Sequence, residues 1–219
     1  MKELAMTPVR LAFLDAATSA ATLLSDRAVA AGWSRPSALA GFSVGGLATH
    51  LAGQVTNVEG TLNQEIPDLP QVTLLDHYAH SPWFEGESDD QAQSNQNILE
   101  GSEGSAAEGP AAMLATVNRS LARLREELPW QAPGRLGLMP WWQWTLTFDD
   151  LLVTRMMEIA VHSDDLAVSV GVPTPTLPPA VLEPVLGLLS QLALRRHGAT
   201  ALLRAYSRSE RAPASISAF

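Results

Sequence analysis

There is no cysteine anywhere in this chain of 219 residues. Disulfides, thiolate metal ligands and cysteine nucleophiles are therefore excluded, and any thiol chemistry must take its sulfur from a small molecule. Positive charge is scarce as well: 14 Lys and Arg against 23 Asp and Glu leave a formal net charge of −9. A chain with that balance lacks the basic face that phosphate backbones require, which argues for no nucleic acid partner, and it offers no polybasic anchor to an anionic membrane. Long apolar runs are missing too. The opening Met1-Lys2-Glu3-Leu4-Ala5-Met6 has no uninterrupted apolar core behind its lysine, and no other stretch is long and apolar enough to span a bilayer. The expectation is a soluble, cytoplasmic protein without a membrane partner, as a monomer or homodimer. No segment sustains alternation of period two, so little sheet is expected.

What the chain does have is helical periodicity. Hydrophobic residues make up 46% and charged residues 17%, a globular rather than disordered balance. Thr7 and Pro8 read as the start of a helix over 8–31, with Leu11, Leu14, Ala17, Ala21 and Leu24 on one stripe and Gly32 as its stop. A loop from Trp33 to Phe42 follows, with an aromatic at each end. Ser43 caps a second helix to about Leu62, and Pro110 opens a third to about Leu128. Thr147 and Asp150 form a capping-box pattern for a fourth over 148–170, closed by Gly171 and Pro173. A fifth runs to about Arg196 and a short sixth spans 199–208. Residues 63–109 are poorly periodic, interrupted by Pro67, Pro70 and Pro82 and then acidic and Gly/Ser-rich. They read as a solvated excursion, with a lid or substrate loop as the functional alternative. The fold class is all-α: a bundle of four long helices with additional C-terminal helices. The bundle is expected over 1–172 and a helical extension packed on it over 173–219.

Charged residues stand out on the fourth helix because most of it is apolar. Glu158 and His162 are four apart and share a face, with Arg155 and Asp165 on the same stripe. Charged groups on a buried helix must be paired or bound, and an inward carboxylate and imidazole at this spacing are suited to a metal ion. Of the five histidines, His50 lies on the apolar side of the second helix. Alone it reads as a core residue; beside an inward Glu158/His162 pair it completes a two-His, one-carboxylate set. Such a set accommodates a divalent metal with an open position: zinc foremost, with nickel or iron as alternatives. His77 and His80 are a rival pair without a helical frame, and His197 suits a helix C-terminus. Asp165 either holds a ligand imidazole or substrate group, or pairs with Arg155. Arg155 either binds a substrate carboxylate or forms that bridge. Trp141, Trp142 and Trp144 are packing residues or one wall of a pocket.

Two segments resemble a known family. Trp33, Pro36-Ser37 and Gly41-Phe42-Ser43-Val44-Gly45-Gly46-Leu47-Ala48-Thr49-His50-Leu51 are similar to the first signature of the mycothiol-dependent maleylpyruvate isomerase N-terminal domain, within the DinB-like superfamily. Arg155-Met156-Met157-Glu158, Val161-His162, Asp165-Leu166, Gly171 and Pro173 are similar to its second. The resemblance covers roughly residues 7–172. It implies a DinB-like four-helix bundle with metal ligands His50, Glu158 and His162, and mycothiol as the low-molecular-weight thiol. About 45 residues follow the bundle, too few for the further catalytic domain of the isomerase itself, and the ending resembles that of short actinobacterial members. The resulting expectation is a metal-dependent thiol S-transferase or isomerase acting on an electrophilic substrate, with Asp165 and Arg155 as candidate catalytic residues. The alternatives are a non-catalytic metal or small-ligand binding bundle and a metal-dependent hydrolase.

Overall fold

Three of the long helices begin where a side chain caps the first turn. In a computed structural model of the chain, which describes residues 6–79 and 89–219, Thr7 accepts from the Arg10 backbone amide and opens α1 (Pro8–Leu24). Ser43 Oγ accepts from Gly46 N at 2.9 Å and opens α3 (Val44–Thr61), after a short α2 (Arg27–Gly32). Two helices follow in the 63–109 region: α4 (Leu74–Ala79) and α5 (Asp89–Ala106). Then come α6 (Pro110–Glu127), α7 (Phe148–Val170), α8 (Pro179–His197) and α9 (Ala199–Ser207). Thr147 caps α7 by accepting from Asp150 N at 3.0 Å while its hydroxyl donates to the Asp150 carboxylate, and Gly171 ends it at φ 73°.

The bundle is made of α1, α3, α6 and α7, with α7 and α6 each lying between α1 and α3. Phe13, Leu47, Leu51, Leu124, Leu151, Leu152 and Met156 are fully buried along its axis. Val181, Val185, Leu188 and Leu192 of α8 join the same apolar core, and α8 packs against α1 and α7. The little sheet present among the described residues is one antiparallel pair, β1 (Leu136–Gly137) with β2 (Leu146–Thr147). The all-α class and the bundle therefore stand as expected. No helix among the described residues is long and apolar enough to cross a membrane.

Three sequence expectations are corrected. The first helix is not continuous over 8–31: Asp26 leaves the helical conformation and its carboxylate caps α2 through Ala28 N at 2.8 Å. An aspartate competes with the helix in this way because its short side chain reaches the backbone two residues on. The 63–109 region is not a plain excursion, since α5 occupies much of it and packs on α3. Its apolar residues are sparse, with Ile98 and Leu99 half-buried and Ala106 buried, so the helical period is faint. Side-chain pairs Gln93–Asn97 and Gln96–Glu100 support it along the exposed side. The fourth helix is not covered all round either: Val161 and Val168 are exposed on its outer stripe.

Two contacts lock α5 to the start of α3. Glu103 accepts from Ser43 N at 2.7 Å and from Ser43 Oγ at 2.9 Å, and the Trp33 indole donates to the Ala106 carbonyl at 3.1 Å. Both need the paired glycines of the first sequence signature. A Cβ on Gly45 would lie 2.7 Å from the Trp33 ring, and one on Gly46 would overlap the Glu103 carboxylate. Gly45→Ala is therefore expected to cost about 1–3 kcal/mol, because a rigid indole cannot yield as a flexible chain does. Gly60→Ala, where nothing lies within 4 Å of the added Cβ, is expected to be neutral or to gain about 0.5–1 kcal/mol from helix propensity. Thermal unfolding checks both, at roughly 2–4 °C per kcal/mol for a chain of this size. Equal melting of wild type and Gly45→Ala would contradict the packing described.

Candidate metal centre

α3 and α7 pack side by side, and each presents polar residues to the other at one level. From α3 comes His50; from α7 come Glu158 and, one turn on, His162. One donor atom from each of the three lies within 4.8 Å of the other two. His162 Nε2 is 3.1 Å and His50 Nε2 3.7 Å from the same oxygen, Glu158 Oε2. The two imidazoles meet edge to face with centroids 4.7 Å apart. The side chains keep 16%, 16% and 24% of their surface accessible for His50, His162 and Glu158. The cluster is thus open on one side rather than sealed, and the Phe42 ring stands 6.0 Å from His50 as a neighbour.

Both imidazoles are contacted by a further polar side chain. Asp165 Oδ2 accepts from His162 Nδ1 at 3.0 Å, which aims Nε2 at Glu158. Asp165 makes no ion pair with Arg155 among the described residues; a spacing of ten places them nearly three helical turns apart, so that sequence alternative is corrected. Arg155 instead donates from Nη1 to Gln54 Oε1 at 2.7 Å. Because a guanidinium only donates, this bond fixes the amide of Gln54 and turns its Nε2 toward His50, 3.3 Å from His50 Nε2 and 3.0 Å from the His50 carbonyl. His50 Nε2 thus lies between the Gln54 amide and the Glu158 carboxylate, 3.3 Å from one and 3.7 Å from the other.

The electrostatics follow from this crowding. Burial alone would raise the Glu158 carboxyl, but hydrogen bonds from His162 and His50 and the charge of Arg155 hold it well below the usual carboxylate range. Burial works against a charged His162, yet the bonds to Asp165 and Glu158 prevail and push it from 6.5 up to about 9. With no metal bound, His162 therefore carries a proton on each nitrogen, donating to Asp165 and Glu158. Two neutral imidazole nitrogens and a carboxylate, one imidazole backed by a second carboxylate, are the donor chemistry of zinc and related divalent ions. The residues present fit such an ion.

The other candidates lie apart. His77 is buried on α4, where its Nδ1 accepts from Trp144 Nε1 at 2.9 Å and its ring stacks 4.4 Å from Trp142. It is not one of the three clustered donors. His80 lies outside the described residues. His197 is half-buried and donates to the Ser217 carbonyl. Trp141 is exposed, whereas Trp142 is buried between His77 and Arg155. Gln54 was missed by the sequence reading although its spacing of four from His50 was the available signal. Tyr78, buried on α4, was also missed, and the faint periodicity of its segment held no signal for it.

An all-α bundle with a two-His, one-Glu cluster between two of its helices defines a class of metal-binding helical domains. The family model for the mycothiol maleylpyruvate isomerase N-terminal domain matches residues 13–167, well over half of the chain, and the chain belongs to that family. No curated protein and no solved structure matches it.

The protonated His162 has a consequence for stability. A histidine raised from 6.5 to about 9 in the folded state contributes stability that is complete below 6.5 and lost as pH rises through 9. Glu158, held low, acts in the opposite sense, and its contribution is lost only in acid. The melting temperature of protein stripped of metal by a chelator is therefore expected to fall between pH 6.5 and 9. His162→Asn should lack that slope. A flat wild-type profile across the window would contradict a charged His162.

Proposed function

We propose that this chain is a metal-dependent enzyme that uses a low-molecular-weight thiol, mycothiol, for S-transfer to an electrophile or for isomerisation. The observation that carries the reading is the convergence of His50, Glu158 and His162 from two helices on one partly exposed point, with His162 oriented from behind by Asp165. These three would hold a divalent ion, zinc foremost. When bound, such an ion lowers the pKa of a coordinated thiol, so that thiolate is available at neutral pH.

The chain's own residues supply the rest. Asp165 fixes the tautomer and direction of His162, and as a hydrogen-bonded carboxylate it strengthens that imidazole as a ligand. Gln54, held by Arg155, donates to the His50 carbonyl and lies against His50 Nε2, which limits the freedom of that ring. Asp165 and Arg155 are thus read as positioning residues. The absence of cysteine means that the reacting sulfur belongs to the small molecule. Membership of a mycothiol-related family is what favours mycothiol over other thiols.

Metal content by mass spectrometry tests the site. Near-stoichiometric metal is expected in the wild type and loss in His50→Ala, Glu158→Ala and His162→Ala. Asp165→Asn should keep the fold while lowering zinc affinity by about 10–100-fold. Turnover of monobromobimane with added mycothiol, abolished by His50→Ala, would establish the enzyme; metal-dependent stability without turnover of any thiol and electrophile would indicate a binding protein instead. A wild type that holds no metal and is not stabilised by zinc would end the reading.

A further inference from the structure

One side of α8 is left uncovered by the rest of the molecule. Val181, Val185, Leu188 and Leu192 face the core. On the opposite side, at helical spacing, come Glu183, Leu186, Gly187, Ser190, Leu194 and His197, all exposed or half-buried. α9 follows Gly198 and adds to the same face, since Ser190 Oγ and Tyr206 Oη lie within hydrogen-bond distance at 3.2 Å. Leu203 stands one turn before Tyr206, while Leu202 on the inner side of α9 is buried. Leu186, Leu194, Leu203 and Tyr206 are between 43% and 67% exposed. Apolar side chains scattered singly over a surface are ordinary, but a group of large ones on two adjoining helices marks an interaction face. Within it Gly187 has open space where a Cβ would stand, so another backbone can approach closely there.

The stripe on α8 is complementary to itself when turned end for end. Ser190 is its middle. Leu186 and Leu194 lie four residues to either side, and Glu183 and His197 seven residues to either side. The two ends differ in charge: Glu183 is exposed near the start, and Arg195, Arg196 and His197 make the last turn basic. Laid antiparallel on a second copy about an axis beside Ser190, each Leu186 meets the partner's Leu194. Each Glu183 then comes level with the basic turn of the other chain, and the two helix dipoles run in opposition. A parallel pairing would set Glu183 against its own counterpart. A slide of one turn would set Leu186 against a serine or a glycine instead of a leucine.

We propose that this face docks a second copy of the chain, as an isologous dimer in which α8 packs antiparallel on its counterpart and α9 flanks the contact. Such a contact uses the same patch on both copies and closes on itself, so it stops at two. The dimer stands apart from the metal-and-thiol reading, because every residue it uses lies on α8 and α9.

Sedimentation velocity on the full chain tests it. Two helices from each copy make an interface at the small end of the specific range, so a dissociation constant on the order of 10 µM is expected. Leu186→Arg and Leu194→Glu should each weaken dimerisation about tenfold or more, since each sets an unpaired charge against a leucine. Combined on one chain, the two substitutions should bring the dimer back to within about tenfold of wild type, because the altered positions face one another with opposite charge. Both side chains are exposed, so far-UV circular dichroism should match the wild type in all three variants. The lack of cysteine allows a second measurement. Ser190→Cys should be joined to its counterpart by a short bis-maleimide, whereas Ser25→Cys, exposed at the end of α1, should not. A wild type that is monomeric at about 100 µM would overturn the dimer. So would a dimer indifferent to both single substitutions, one that the double substitution fails to bring back, or a Ser190→Cys protein that is joined no better than Ser25→Cys.

Discussion

A carboxylate drawn into the space between two packed helices must be answered by donors, and Glu158 sets that condition for this end of the bundle. Burial would neutralise it; two imidazoles and a nearby guanidinium keep it charged. The rest of the arrangement follows in sequence. His162 can serve only if its other nitrogen is engaged, which Asp165 does. His50 must arrive from α3 at the same level, where Gln54, held by Arg155, contacts its ring. One negative charge thus organises a network of six side chains on two helices.

Placing His50 at that level depends on contacts well away from it. The start of α3 is set by Ser43, and Ser43 is bound in turn by Glu103 of α5. The Trp33 loop closes over Gly45 and is tied to α7 where Ala38 N donates to Ser169 Oγ. A helix start fixed from three directions cannot slide, and a shift of one residue in α3 would turn His50 about 100° away from Glu158. Glycines in a helix interior weaken it. Here two in succession admit an indole on one and a carboxylate on the other, which explains their place in a segment that must be positioned rather than merely helical.

Much of this was legible in the sequence, for identifiable reasons. The four bundle helices carry dense apolar periods and capping residues at their ends. The spacing of Glu158 and His162 by four, on a helix otherwise apolar, needed no tertiary information to suggest a shared ligand. What escaped is what depends on partners distant in the chain. α5 has too few apolar residues to register as a helix; its place is given by Ser43 and Trp33, whose contact with it no local pattern reveals. The break at Asp26 is a contest between continued helix and side-chain capping that periodicity cannot decide. Tyr78 has no local signal at all, because its burial is created by α8 and by the segment around Thr145.

The two buried arginines differ in how fully protein acceptors surround them. Arg10, 2% exposed, donates to Asp149 at 3.1 Å, to the Gln131 carbonyl at 2.8 Å and to the Ala132 carbonyl at 3.3 Å, so its guanidinium is surrounded by protein acceptors. It ties the start of α1 to that of α7. Arg155 is buried to a similar degree but meets only a hydroxyl and an amide oxygen, with an aromatic ring 6.0 Å from its guanidinium. Were packing all that mattered, an apolar side chain of similar volume would serve better at that position, since a buried charge without full compensation destabilises a core. The fully answered arginine lies where helices need joining. The partly answered one lies beside the only clustered His/Glu donor set among the described residues. Arg155 acts on this end of the bundle through Gln54, whose amide it fixes and whose Nε2 lies 3.3 Å from His50 Nε2.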